Sequence, residues 1–130
     1  MDFATDSLLD LHPPLIFQID GNMGGTAAVL EMLLQSYGEV LHFLPALPAC
    51  WPDGRVRGLR ARGGYTVGMR WRKGGLEEAD VVSVTSRTCT VKGPRFTVRD
   101  GSGKGVETRV ATGRVTFEVR AGERYVVSPP

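Results

Sequence analysis

The residues able to do chemistry gather near the start of the chain. His12 stands beside Pro13-Pro14, and Asp20-Gly21-Asn22 precede Met23-Gly24-Gly25-Thr26. A positioned carboxylate can take a proton, and a carboxamide can bond a substrate hydroxyl. Read locally, Asp20-Gly21-Asn22 is a tight turn before a helix, because Asp and Asn bond nearby backbone amides and Gly accepts positive φ. Asn22 equally suits a cap for that helix, and a histidine next to two prolines, as His12 is, is more often a loop residue bonded to backbone than one facing a substrate. Glu31 reads as a solvated or ion-paired helix residue, and His42, amid Leu41, Phe43 and Leu44, as a packed histidine. Cys50 and Cys89 share no metal-ligand or redox spacing, so both read as reduced, structural thiols. Gly24-Gly25 ahead of a helix suggests a phosphate site, but no P-loop Lys-Ser/Thr or GxGxxG accompanies it.

The same window carries a longer pattern. It comprises His12-Pro13-Pro14, the run Phe17-Gln18-Ile19-Asp20-Gly21-Asn22, Gly24-Gly25-Thr26-Ala27 and Glu31-Met32-Leu33-Leu34-Gln35-Ser36. Leu44-Pro45-Ala46-Leu47-Pro48, Trp51-Pro52, Gly54 and Gly58-Leu59-Arg60-Ala61-Arg62-Gly63-Gly64 continue it. Together these resemble glycoside hydrolase family 95, the inverting α-L-fucosidases, from the C-terminal end of the catalytic barrel onward. Met23 stands where the family usually has Phe, one bulky apolar side chain for another.

Cleavage with inversion needs an acid on the leaving oxygen and a base that activates water from the other face, the two carboxyls lying about 6.5–9.5 Å apart. The resemblance assigns the base to Asp20, places His12 and Asn22 against the substrate, and implies neither metal nor cofactor. It also implies that the general acid, a Glu, and the asparagines that help position the water lie upstream. Nothing in this chain stands for them. The expectation is the C-terminal portion of an α-L-fucosidase-like hydrolase, with a fucosylated glycan as partner in the intact parent and no turnover by this stretch alone. The other reading is a free-standing β-sandwich module that binds glycan or protein.

Composition bounds both readings. A complete (α/α) barrel of six helical hairpins, at about 10–12 residues per helix plus loops, does not fit into 130 residues. The longest apolar-rich stretch, residues 27–34, is interrupted by Glu31 and falls short of the ~20 residues of a membrane span. No membrane partner is expected. The N-terminus shows no basic start followed by an apolar core, so a signal peptide is not expected in this stretch. Charge is uneven: residues 1–52 hold six acids and no Lys or Arg, whereas all 16 bases fall in 53–130. The arginines there are scattered between apolar positions, without RNP, helix-turn-helix or zinc-finger spacing, which argues against a nucleic-acid partner.

The elements that must position these residues can be read from periodicity. Residues 26–37 are apolar around most of a helical circumference, with Gly38 where a left-handed cap is favoured. A helix apolar nearly all round expects burial, so either the sheet domain or a second copy is expected to cover residues 26–37, self-association through them being the favoured of the two. Residues 41–52, with Pro45, Pro48 and Pro52, read as an extended connector. From Val56 onward the period becomes two, as in Tyr65, Val67, Met69 and Trp71 alternating with Thr66, Gly68, Arg70 and Arg72. Breaks such as Lys73-Gly74-Gly75, Asp100-Gly101-Ser102-Gly103 and Thr112-Gly113 separate at least six such runs. The fold expected is mainly β with a short N-terminal helical segment, a jelly-roll-like β-sandwich. The division expected is a barrel remnant over 1–52 and the sandwich over 53–130. Trp51, Tyr65 and Trp71 could form a sugar platform, but alternation assigns Tyr65 and Trp71 to the core.

Overall fold

The computed structural model describes residues 11–12 and 16–130. A two-residue hairpin, β1 (Leu11–His12) with β2 (Ile16–Phe17), leads into one helix, α1 (Ile19–Leu33). Short strands β3 (Leu34–Gln35) and β4 (Val40–Phe43) come next, joined through a 3-10 turn at Tyr37–Glu39. The remainder is β: β5 (Gly54–Ala61), β6 (Tyr65–Arg72), β7 (Gly75–Ser83), β8 (Arg87–Lys92), β9 (Thr97–Asp100), β10 (Arg109–Ala111), β11 (Arg114–Val119) and β12 (Arg124–Ser128). Two five-stranded sheets result, ordered β5-β6-β7-β12-β9 and β10-β11-β8-β4-β3. They form a β-sandwich, as the period of two requires.

Alternation decides which side chains meet between the sheets. Tyr65, Val67, Met69 and Trp71 of β6, Ala79 and Val81 of β7, and Tyr125 and Val127 of β12 are buried from one sheet. Leu41, Phe43, Cys89, Val91, Val115, Phe117 and Val119 are buried from the other. The Phe117 and Tyr125 rings lie 5.9 Å apart, within the range at which aromatic pairs attract. Lys73-Gly74 and Thr112-Gly113 form two-residue hairpin loops with positive φ at both positions, 51° and 76° in the first, 48° and 68° in the second. That geometry matches the right-handed twist of the strands it joins.

Trp71 shows how the edge is sealed. It pairs with Gly54 across β5 and β6, its indole N–H donates to the Trp51 carbonyl at 3.0 Å, and a Cβ on Gly54 would collide with its ring. Glycine is therefore required where the indole covers the outer strand.

Three expectations need correction. The helix runs over Ile19–Leu33 rather than 26–37, because Gly21, Gly24 and Gly25, each costing about 1 kcal/mol against Ala in a helix, are carried inside it rather than ahead of it. Its end comes early because Leu34 and Gln35 pair with Phe43 and His42 in β3 and β4, and Leu34 is buried in the sandwich. Gly38 does take the left-handed conformation, φ 58°, but in the turn after β3 and not as a helix cap. The connector over 41–52 is in part a strand: Val40 and Leu41 pair in parallel with Thr90 and Val91 of β8. The second sheet thus draws members from both sides of residue 52.

Candidate functional site

The β1–β2 hairpin and the first turn of α1 bring the N-terminal candidates together along the backbone. His12 pairs with Ile16, just ahead of the helix start at Ile19. Gln18 is the helix N-cap, with extended φ −110° and ψ 102°. Asp20 and Asn22 therefore sit in the first turn of α1, not in a turn that precedes it. An acid there faces the positive end of the helix dipole, a favourable placement.

Their contacts are local. The Gly21 amide donates to Asp20 Oδ1 at 3.0 Å, and the carboxylate is exposed. The Asn22 amide Nδ2 donates to the Gln18 carbonyl at 2.5 Å, beside the helical bond from the Asn22 backbone N–H to the same oxygen at 3.2 Å. The side chain thus ties the helix start together from inside, whereas a capping residue would accept an amide from outside it. Thr26 donates its hydroxyl to the Asn22 carbonyl at 3.1 Å, one turn further on.

Most of the surroundings of Asp20 are apolar and uncovered. Ile16, Phe17, Ile19 and Met23 are 60%, 50%, 57% and 64% exposed, and Val29 and Leu30 are exposed as well. A Cβ placed on Gly24 or Gly25 would meet no atom within 4 Å. Among the described residues of α1 only Leu33 is buried. The helix is held at its C-terminal end, where the amides of Leu44 and Ala46 donate to the carbonyls of Leu33 and Met32 at 2.8 and 3.2 Å. Between that end and β5 lies a cleft of about 350 Å³, lined in part by Glu31, Ser36, Arg60 and Arg62. One Glu31 carboxylate oxygen there is buried without a hydrogen-bond partner.

Elsewhere the candidates divide by burial. Cys89 is fully buried, and burial pushes its thiol up to about 12 despite the Tyr65 hydroxyl and Arg87 nearby, so it is unreactive at neutral pH; Cys50 is free and exposed. Tyr65 and Trp71 belong to the core, as alternation requires, while Trp51 is partly open to solvent. His42 is half-buried, and burial first, then Lys92, lower its pKa. Among the described residues no group of His, Cys, Asp or Glu is arranged to hold a metal ion, and no helix is long and apolar enough to cross a membrane.

A further cleft, of about 300 Å³, lies on the outer face of the second sheet between Gln35, Tyr37, His42, Lys92 and Arg114. Sequence reading passed over it. Its members come from three separate stretches, residues 35–42, Lys92 and residues 112–114, which meet through strand register, so no single local spacing announces them.

Residues 35–127 match the family model of the glycoside hydrolase family 95 C-terminal domain, a span that runs from β3 into β12. Alpha-L-fucosidase 2 of Arabidopsis thaliana is 56% identical over 73 residues, covering 55% of this chain and 8% of that protein. Probable alpha-fucosidase A of Aspergillus niger is 35% identical over 100 residues, covering 68% of this chain and 12% of that protein. Its namesake in Aspergillus oryzae is 40% identical over 85 residues, covering 57% and 12%. The chain thus spans only 8–12% of the length of these relatives.

Proposed function

This chain belongs to glycoside hydrolase family 95, of which it contains the C-terminal domain, and we propose that it is the C-terminal portion of an enzyme that hydrolyses α-L-fucosyl linkages in glycans with inversion. The observation that carries this reading is the state of α1. It presents Asp20 on a segment whose apolar neighbours Ile16, Phe17, Ile19 and Met23 are half or more exposed, and whose Gly24 and Gly25 leave room on a bare side. Such a surface suits one wall of a site whose other walls come from elsewhere in a longer enzyme.

In this reading Asp20 is the general base. Its carboxylate takes a proton from a water that attacks the anomeric carbon while a second carboxyl group, about 6.5–9.5 Å away, protonates the leaving oxygen. Asn22 and His12 contact substrate hydroxyls, with Asn22 held in place by its bond to the Gln18 carbonyl. The acid is supplied by the longer enzyme, so residues 1–130 alone release no fucose from 2′-fucosyllactose.

The test is Asp20→Asn in the longer enzyme. Asn keeps the side-chain shape and removes the base, so turnover falls by about 10²–10⁴, the usual contribution of such a group, with melting temperature unchanged. Near-normal turnover, or a loss explained by unfolding, would overturn the assignment of Asp20. Turnover by residues 1–130 alone would overturn the division of labour.

A further inference from the structure

The outer face of the second sheet carries an ordered polar row. In β3, β4, β8 and β11 the inward positions are Leu34, Leu41 and Phe43, Cys89 and Val91, and Val115 and Phe117, all buried. Their alternates, Gln35, His42, Lys92 and Arg114, point the other way. Register aligns them: Gln35 pairs with His42, and Lys92 with Arg114. The parallel pairing of Val40 with Thr90 carries His42 level with Lys92 two residues on. Four strands at about 4.8 Å spacing thus make a row roughly 14 Å long. The cleft of about 300 Å³ runs along it, with Tyr37 and the Thr112-Gly113 hairpin loop completing the lining. That volume lies at the lower end of small-ligand sites.

Charge in the row is uncompensated. Among the described residues no ion pair engages Lys92 or Arg114. The neighbouring acids are committed elsewhere, Glu39 to Arg87 and Glu118 to the Thr88 hydroxyl at 2.7 Å. On the other sheet Arg70 and Arg72 pair with Glu77, and Arg124 with Asp80, while Arg55 and Arg57 of β5 are, like Lys92 and Arg114, outside any ion pair among the described residues. His42 fits the same picture, because burial and the Lys92 ammonium both disfavour its protonated form. At the rim, Thr112 and Gly113 take φ of 48° and 68°, the geometry of the two-residue loop that joins β10 to β11. Tyr37 is 61% exposed, and the Arg62 guanidinium lies 5.1 Å from its ring centroid.

We propose that this cleft binds an anionic oligosaccharide. The acidic group of one sugar sits on Arg114 and Lys92, its hydroxyls bond to Gln35, His42 and Thr112, and its C–H surface packs on Tyr37. A guanidinium offers a planar fork that matches a carboxylate or sulfate in two parallel hydrogen bonds. A neutral imidazole and a carboxamide each donate and accept, which is what sugar hydroxyls require. Cations alone would suit any acidic chain, whereas the mixed donor–acceptor set and the aromatic ring favour a glycan. The site is separate from Asp20 and does not depend on its catalytic role.

The test is an NMR titration of the isotope-labelled 130-residue chain with trigalacturonate, a sulfated galactan trisaccharide, neutral galactotriose and pentaglutamate. Signals of Gln35, His42, Lys92, Thr112 and Arg114 should move with one or both acidic sugars, and which of them binds tells carboxylate from sulfate. The double variant Lys92→Gln, Arg114→Gln should weaken binding at least tenfold without lowering the melting temperature, since both side chains stand on the exposed face. Tyr37→Ala should weaken the trisaccharide and leave inorganic sulfate unaffected. Silence at the row with both acidic sugars, equal binding of the neutral sugar or of pentaglutamate, or undiminished binding by the double variant would each overturn the proposal.

Discussion

β6 and the segment from Ile16 to Leu30 are both rich in large apolar side chains, and they end in opposite environments. In β6 the period of two sends Tyr65, Val67, Met69 and Trp71 into the space between two sheets, where none is more than 6% exposed. In the segment that opens α1, Ile16, Phe17, Ile19 and Met23 meet solvent. Apolar character alone therefore does not bury a side chain; a facing element within reach does. The sandwich supplies that facing element to itself. Among the described residues, α1 reaches the core at its C-terminal turn, through Leu33. One region closes on itself, and the other leaves its large apolar side chains exposed.

Trp71→Ala tests this contrast most severely. It removes a buried indole, opens the side of β5 at Gly54 and deprives the Trp51 carbonyl of its donor. We expect a loss of about 3–5 kcal/mol in urea unfolding, the usual result of truncating a buried aromatic. A loss below about 1 kcal/mol would mean that the edge is not sealed by this ring.

Within the helix the expectation is the reverse. Phe17→Ser with Met23→Ser should leave the unfolding midpoint of the 130 residues within the scatter of surface substitutions, about 0.5 kcal/mol. The same pair should shift their sedimentation from self-associated species toward monomer. If the unsubstituted 130 residues are already monomeric at high concentration, self-association is wrong both for residues 26–37 and for the exposed start of α1.

Gly24→Ala and Gly25→Ala sharpen the comparison further. Nothing meets a Cβ at either position, so each should firm the helix of the 130-residue chain by about 0.5–1 kcal/mol, read as slower amide exchange in α1. In the longer enzyme the sign should reverse if a neighbouring wall approaches those glycines.

Acid is the gentlest probe. The His42 pKa lies below its ordinary 6.5, from burial first and Lys92 second. The folded state therefore binds fewer protons than the unfolded one in that range. Its contribution is present above 6.5 and is lost as pH falls through the lowered value. His42→Gln should flatten the decline of the melting temperature below pH 6.5, and an unchanged profile would remove His42 as a source of acid sensitivity.

Legibility in the sequence tracked the range of the interaction. Strands with one wet face declared themselves through alternation, and Lys73-Gly74 and Thr112-Gly113 declared the turns, because both signals are contained in a few neighbouring residues. Tyr65 and Trp71 are legible as core positions for the same reason. The helix limits were not readable: glycine weakens a helix without forbidding it, and what ended α1 was the pairing of Leu34 and Gln35 with residues beyond the next turn. Of the candidate site, Asp20, Asn22 and His12 were visible as a motif, but their placement across the first turn of α1 and the β1–β2 hairpin was not.

By itself, then, the sequence determined the period, the turns, the sandwich class and the family likeness, since each is written in local pattern or in a contiguous motif. Tertiary structure alone decided that β4 lies parallel to β8, that Gln35, His42, Lys92 and Arg114 share one row, and that the start of α1 stands uncovered. Those outcomes depend on long-range register and on which apolar faces find partners, and no short window of residues contains that information.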